Sequence, residues 1–552
     1  MLEAIFELIV PIIVAQIINI GIKNGDKNYI IVRFGLLILM AVLGLACSFT
    51  AQYFAARVAV GTSTRLRHNL LSHIQSLGFP ENDKIGTSTL ITRMTSDVNQ
   101  VQNGINMFLR LFLRSPFIVF GTLVMAFTIS SRIALVFVCV IPVLFIMVFG
   151  IMHITNPMYK RQQTAVDDVT RSTRENLTGV RVVRAFSREE KEYEIFKALN
   201  GSLEKIQILA GKVSALMNPL TYIVINAGII LILWFGAKNV NYGDLLPGDI
   251  IALVNYISQI LVELLKLANL IVLLGRSYVS MGRIGDIFDM KSSMKFGNIT
   301  EGKTGTDEIL RFENVGLKYN ENSERALSGI SFSIKKGQTI GIIGGTGSGK
   351  TSIVSLISRF YDATEGEILF MGLPIKEWDK KALREKIAVV MQKTQLFSGT
   401  IRSNLLYGNQ NADDEQIYKA LEIAQALDFV KADGKTLDSV VEQGGRNFSG
   451  GQKQRLSIAR AVIANPELLI LDDSSSALDY ATDANLRRAL KTIGSDTTVI
   501  IVSQRTSSIA HADRILVLDD GKLVGNGNHE SLLENCSVYR EIHESISKKE
   551  GE

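Results

Sequence analysis

Two short stretches of this 552-residue chain carry residues of the type and spacing that chemistry on phosphates requires. In "GGTGSGKT", Gly344 to Thr351, the pattern G-x-x-x-x-G-K-[ST] sits between the apolar run "QTIGII" and the helical pattern "KTSIVSLISRF". Gly344, Gly345, Gly347 and Gly349, with Thr346 and Ser348 between them, let the backbone wrap closely. Its N–H groups and the following helix N-terminus can then cradle phosphate oxygens. Lys350 is expected to reach the β- and γ-phosphates and the Thr351 hydroxyl to hold Mg²⁺, with Ser352 next on the helix. The second stretch is "ELLILDDSSSALD", 467 to 479, in which the apolar run Leu468 to Leu471 delivers Asp472 and Asp473 side by side. Such a run places one acid near a magnesium ion and the next against a water molecule. The second acid is more often glutamate, so the shorter Asp473 raises the question of whether the site still hydrolyses.

The elements that must position these residues follow from patterning. From about 309 the chain alternates short apolar or β-branched runs ("RFENVGLKY", "QTIGIIG", "KIAVVMQ", "ELLILDD", "TVIIVSQR", "RILVLDDG") with helical patterns. Strand followed by helix, repeatedly, predicts a mostly parallel sheet covered by helices, an α/β domain over 309–552. The segment 291–308, "KSSMKFGNITEGKTGTDE", is polar and rich in Gly and Thr and reads as a linker. One decoy, "LVLDDG", also ends a strand in two aspartates, but Asp520-Gly521 followed by "KLVG" reads as a hairpin turn.

Residues 1–290 hold a different kind of signal. A bilayer core about 30 Å thick needs roughly 20 apolar residues in helix. Such runs fall near 4–22, 33–53, 108–130, 133–155, 216–238 and 249–275, predicting an all-α membrane domain of six spans. The long polar gaps after spans two and four carry Arg57, Arg65 and Arg67, and Lys160, Arg161 and Arg171. Positive-inside bias therefore puts those gaps and both termini in the cytosol of a multi-pass protein of the cell (plasma or inner) membrane. Composition agrees: 47% hydrophobic and 20% charged residues suit a chain that is part membrane and part soluble. The net charge of +5 fits loop charge at a membrane surface and its lipids, with no nucleic-acid footprint. Cys47, Cys139 and Cys536 are scattered and imply neither disulfides nor a metal site. "MLEAIFELIVPIIVAQ" lacks the basic start of a cleaved signal peptide. Asn176, Asn298 and Asn447 match N-x-[ST] but fall in predicted cytosolic segments, so glycosylation is not implied.

"NFSGGQKQRLSIARAV", Asn447 to Val462, opens a helix bearing Arg455 and Arg460 about a hundred residues after the phosphate loop and just before "ELLILDD". That order resembles the nucleotide-binding domain of ABC transporters, whose signature is usually written LSGGQ. The six spans with long cytosolic gaps are similar to the exporter type. "GTSTLITRMTSDVNQV" and "RENLTGVRVVRAFSREEKE" look like its two coupling-helix regions. The resemblance covers nearly the whole chain, apart from the elbow helix that usually precedes the first span. It implies ATP and Mg²⁺ as cofactors, Tyr319 stacked on adenine, and magnesium held by Thr351, Gln392 and Asp472. It also implies that Ser449, Gly450, Gly451 and Gln452 complete an ATP site on a second half-transporter chain.

In active members the residue after the magnesium-binding aspartate is a glutamate that polarises water, and a later strand ends in a switch histidine. Here Asp473 and Gln504 stand at these catalytic positions. The aspartate is one methylene shorter, and glutamine has no titratable proton near neutral pH. Misplacing a general base costs about 10²–10⁴ in rate. The expectation is a chain that binds ATP well and hydrolyses it poorly, the degenerate-site half of a heterodimeric exporter of small hydrophobic or amphipathic compounds. The alternatives are a homodimeric lipid or peptide exporter, and a non-transporting ATP-sensing regulatory subunit. Glu263 and Lys266 in span six, i,i+3 neighbours in otherwise apolar sequence, read either as part of a cargo pathway or as a helix-face ion pair facing a water-filled cavity. Glu3, Glu7, Gln16, Asn226, Asn255 and Gln259 read as interhelical hydrogen bonding, and Arg110 and Arg114 as side chains snorkelling to headgroups.

Overall fold

The computed structural model describes residues 1–550 apart from 321–322, 433–435, 475 and 494–496, and the side chains of 546–550 also lie outside the description. The chain forms two compact units, Met1–Ile74 with Ser88–Asp289, and Gln75–Thr87 with Met290–Glu552.

The first unit is all helical. Among the described residues, six helical stretches are long and apolar enough to cross a membrane: Leu2–Ile22, Lys27–Ser76, Thr87–Ile129, Ser131–Thr178, Glu189–Tyr242 and Pro247–Asp289. Several far exceed the apolar runs that mark them. The 50-residue helix Lys27–Ser76 extends about 75 Å at 1.5 Å per residue, more than twice a bilayer core. The long polar gaps of the sequence are thus helical continuations of the spans. Ile133, Phe137, Leu144, Ile232, Tyr256, Ile257 and Ile260 are fully buried where the spans meet. Small residues permit the approach: a Cβ on Gly228 would come 2.6 Å from Ile257 Cδ1. Outward-facing Ile31, Val32, Phe34 and Phe49 remain exposed, as lipid-covered side chains must.

The second unit contains strands β1 (Glu308–Leu317), β2 (Leu327–Lys335), β3 (Thr339–Gly344), β4 (Glu365–Phe370), β5 (Leu373–Pro374), β6 (Ile387–Val390), β7 (Gly399–Thr400), β8 (Val440–Val441), β9 (Leu468–Asp472), β10 (Thr498–Val502), β11 (Arg514–Asp519) and β12 (Lys522–Gly527). The central sheet has the order β12-β11-β3-β10-β9-β6 and is parallel except for the edge strand β12. Its inner strands read as continuous apolar runs because both faces are buried. A second, antiparallel sheet, β2-β1-β4-β5, makes the architecture mixed. Asp520 (φ 44°) and Gly521 (φ 71°) form the tight turn between β11 and β12, so the second aspartate pair is a hairpin.

Two segments differ from the sequence expectation. The residues 291–308 do not behave as a free linker: Gly297 N donates to Trp378 O (3.1 Å), Ile299 N to Glu377 O (3.1 Å), and Arg359 lies 4.1 Å over the Phe296 ring. Phe296 and Ile299 supply the apolar anchors that a composition count overlooks. The first short cytosolic helix is Phe79–Ile85, upstream of "GTSTLITRMTSDVNQV"; that stretch instead begins the third long helix. Pro80 and the neighbouring Asn82 and Asp83 suggest a turn, but proline is accepted in a first helical turn, where its N–H is not needed. Glu81 closes the start, accepting from Gly78 N (2.9 Å) and Ser293 N (3.0 Å).

Candidate nucleotide site

The phosphate loop leaves β3 at the middle of the central sheet, between β11 and β10. Its glycines are required by geometry. Gly347 (φ 83°) and Gly349 (φ 97°) are left-handed, and a Cβ on Gly349 would lie 2.6 Å from Leu327 Cδ2 and 2.9 Å from Ala326 O. A Cβ on Gly344 would run into the Leu518 carbonyl. The loop feeds the helix Lys350–Ile357, which holds Ser352 and Ile353 buried while Thr351 stays exposed to the cavity. Lys350 Nζ folds back on the loop, donating to Gly344 O (2.8 Å) and Gly345 O (2.6 Å). Burial holds its ammonium below the usual lysine range, against the pull of Asp473 and Asp472.

A cavity of about 380 Å³ opens over this loop, lined by Tyr319, Ala326, Thr346 to Ser352, Gln392, Asp472, Asp473 and Gln504. The structure thus brings together, from five separate segments, the residues assigned to ATP, magnesium and catalysis. Gly344 and Gly345 sit at the base of the loop. Tyr319 follows β1 with its hydroxyl 2.9 Å from Ser352 Oγ. Asp472 ends β9 and is 4% exposed; burial first, and then the neighbouring Asp473, push its carboxyl up to about 6 despite the counter-pull of Lys350. Asp473 takes a left-handed φ of 48°, its N–H donating to Val502 O at 3.0 Å. That turn aims its carboxylate at Gln392, whose Nε2 donates to Asp473 Oδ2 at 3.1 Å. Gln504 follows β10 and is exposed at the cavity rim. The Thr351 hydroxyl, the Gln392 amide and the Asp472 carboxylate are hard oxygen donors facing one space. Mg²⁺ takes such a set together with nucleotide phosphates, so the residues fit the ion.

The signature residues are not among those lining this cavity. Ser449 caps the helix Gly450–Val462 by a reciprocal pair: Gln452 N donates to its Oγ (3.3 Å), and Ser449 N donates to Gln452 Oε1 (2.9 Å). Gly451 is needed because a Cβ would meet Ala477 O at 2.9 Å. Phe448, where the family writes leucine, is 7% exposed in the helical core, edge-on to Phe429 at 6.3 Å. The substitution therefore lies beneath the signature surface. Arg455 and Arg460 turn inward, donating to Gln425 O (2.8 Å) and Gln395 O (3.1 Å).

Comparison with known proteins places this geometry. The family described as the ABC transporter transmembrane region matches residues 1–264, and that described as ABC transporter matches 327–476. An uncharacterized ABC transporter ATP-binding protein of Mycobacterium tuberculosis is 36% identical over 555 residues, covering 99% of this chain and 94% of the relative. The chain belongs to the ABC transporter family. The uncharacterized ABC transporter ATP-binding protein YfiB of Bacillus subtilis is 34% identical over 550 residues, covering 100% of this transporter and 95% of the relative. A solved bacterial Atm1-family ABC exporter with ATP bound shares the fold, with a TM-score of 0.79, 21% identity, and coverage of 98% and 95%. The transporter is therefore a half-transporter: a multi-pass membrane domain fused to a cytosolic nucleotide-binding domain of the ATP-binding, ATP-hydrolysing family.

The candidate cargo residues lie in the membrane unit. Glu263 is 1% exposed and accepts from Ser115 Oγ (2.7 Å) and Lys266 Nζ (2.7 Å), so it is a tie between the third and sixth spans, while Lys266 stays half exposed. Arg114 does not snorkel to headgroups. It pairs with Glu7 at 3.0 Å and Glu3 at 3.5 Å, because two carboxylates on the first span offer better partners than water. Of the remaining polar residues, Gln16 Oε1 is buried and has no hydrogen-bond partner.

Proposed function

We propose that this chain is one half of an ATP-driven exporter of hydrophobic or amphipathic compounds, holding ATP at its own site and hydrolysing it slowly. The observation that carries the reading is the engagement of Asp473: at the water-activating position stands a shortened acid, tied to Gln392, in a cavity where Gln504 stands in place of a titratable switch residue. Asp472, Thr351 and Gln392 would hold Mg²⁺, which when bound neutralises charge between the β- and γ-phosphates. Tyr319 would stack on the adenine, the loop N–H groups and Lys350 bind the phosphates, and none of these contacts needs the missing base.

A complete signature beside a weak site suits a heterodimer, in which Ser449, Gly450, Gly451 and Gln452 complete the partner's competent site. Transport then follows a population shift, with ATP binding the closed pair more tightly than the open one and hydrolysis at the partner's site resetting it. Cargo meets the membrane unit near the half-exposed Lys266, with Glu263 positioning that ammonium. Steady-state ATP hydrolysis by the purified chain, beside its Asp473→Glu/Gln504→His double variant, tests the reading. Near-zero turnover that rises at least about 10²-fold in the variant supports it. Brisk turnover by the native chain would mean a homodimeric exporter whose aspartate suffices.

A further inference from the structure

The aromatic residues beside the nucleotide cavity form a connected path that ends outside it. The backbone turns sharply after the helix Lys350–Ile357, with Arg359 at φ 48° and 1% exposed, held by Asp362 at 3.1 Å. This rigid corner presents Phe360 and Tyr361 in opposite roles. Phe360 lies between the Phe79 ring, 4.3 Å away, and the Arg384 guanidinium, 4.7 Å away. Tyr361 sets its ring edge-on to Tyr319, with centroids 4.9 Å apart at 88°, and donates its hydroxyl to the Asp83 carboxylate. Phe79 and Asp83 belong to the short helix Phe79–Ile85, continuous in the chain with the second and third spans. Burial, and then Asp83, hold the Tyr361 phenol above its usual range, so it stays a donor at physiological pH.

We propose that Tyr361 is a positioning residue that carries base occupancy at Tyr319 to the segment Gln75–Thr87, which joins the second and third spans in the chain. Tyr319 is itself tethered, its hydroxyl 2.9 Å from Ser352 Oγ. A purine stacked on Tyr319 must set the plane of that ring, and the edge-on contact makes the Tyr361 ring follow it. The Tyr361 hydroxyl then moves the Asp83 end of the helix, while Phe79 on Phe360 stays the pivot. The path touches the phosphate-loop helix at Ser352 but runs from the Tyr319 ring to Asp83 outside the loop, so the signal is expected to report the base, and tripolyphosphate separates base from phosphates. This rests on the reading that ATP binds with its adenine on Tyr319.

Hydrogen–deuterium exchange of the 75–87 peptide in the purified full chain tests it, with Mg·ATP, with Mg·tripolyphosphate and without ligand. The expected result is an exchange-rate change of at least twofold with ATP and none with tripolyphosphate. Tyr361→Phe should abolish the ATP-dependent change while its ATP dissociation constant stays within about threefold of native. Asp83→Ala should behave alike, so the test survives if one variant folds poorly. A purely structural role would raise exchange equally with and without nucleotide, leaving the ATP response intact and overturning the proposal. An equal response to tripolyphosphate would overturn it too. Bound ATP with no response refutes the relay alone, whereas failure of the native chain to bind ATP removes both the relay and the site reading beneath it.

Discussion

On the proposed assignment of Asp472 to Mg²⁺, its raised carboxyl should make magnesium binding pH-dependent in a range where an ordinary aspartate is silent. With a midpoint of about 6, Asp472 is almost fully ionised at pH 7.5 and about one-tenth ionised at pH 5. An aspartate at the usual 3.8 would still be more than nine-tenths ionised at pH 5. Mg²⁺ binds only the carboxylate, so the magnesium-dependent part of nucleotide affinity should fall about tenfold between pH 7.5 and pH 5. The ion must also displace about half a proton on binding at pH 6. Titration calorimetry of the full chain in two buffers of different ionisation enthalpy reads both quantities. Asp472→Asn supplies the reference that carries ATP's own titration. A magnesium increment that is flat from pH 7.5 to pH 5 after that subtraction would refute the argument from burial and Asp473.

The same shift fixes a stability trend. The folded state disfavours the charged Asp472, so the penalty is present above pH 6 and fades as pH falls toward 3.8. Asp472→Asn should therefore stabilise the nucleotide-free chain at pH 7.5 by up to about 3 kcal/mol, and by less at pH 5, read by thermal melts at both pH values. Gly349→Ala, forced to φ 97° against Leu327 and Ala326, should lose about 1–2 kcal/mol to backbone strain and lower ATP affinity at least tenfold in equilibrium binding. Glu263→Ala leaves the buried Ser115 hydroxyl without its acceptor and should cost about 1–3 kcal/mol in the membrane unit, seen as a lower melting temperature in detergent, with Glu263→Gln milder because it can still accept from Ser115. Phe448→Leu, a buried swap, should cost under about 1.5 kcal/mol and leave ATP binding at the chain's own site unchanged.

Local pattern was enough for the parts of this protein that repeat a local rule. The six spans follow from apolar run length, and the phosphate loop from glycines that must be glycine because Gly347 and Gly349 are left-handed. The hairpin at Asp520-Gly521 follows from turn chemistry. What stayed hidden depends on residues far apart in the chain. Arg114 finds Glu7 across 107 positions, Gln392 finds Asp473 across 81, and Tyr361 finds Asp83 across 278. No periodicity encodes such pairs. The helix Phe79–Ile85 was missed for a different reason: seven residues opening with Phe-Pro carry too little pattern to outweigh turn-forming Asn82 and Asp83. The antiparallel sheet was missed because β1, β2 and β4 alternate exposure only in part, so their runs resemble buried parallel strands.

The most direct test of a site that holds ATP without using it is a single-turnover measurement. The purified chain, in excess over γ-labelled ATP with Mg²⁺, is sampled over minutes for bound nucleotide and released phosphate. The account predicts that nucleotide is bound stoichiometrically and remains intact, with phosphate release at least about 10²-fold slower than in the Asp473→Glu/Gln504→His variant. Prompt release of phosphate from the native chain, at the rate of that variant, would contradict it.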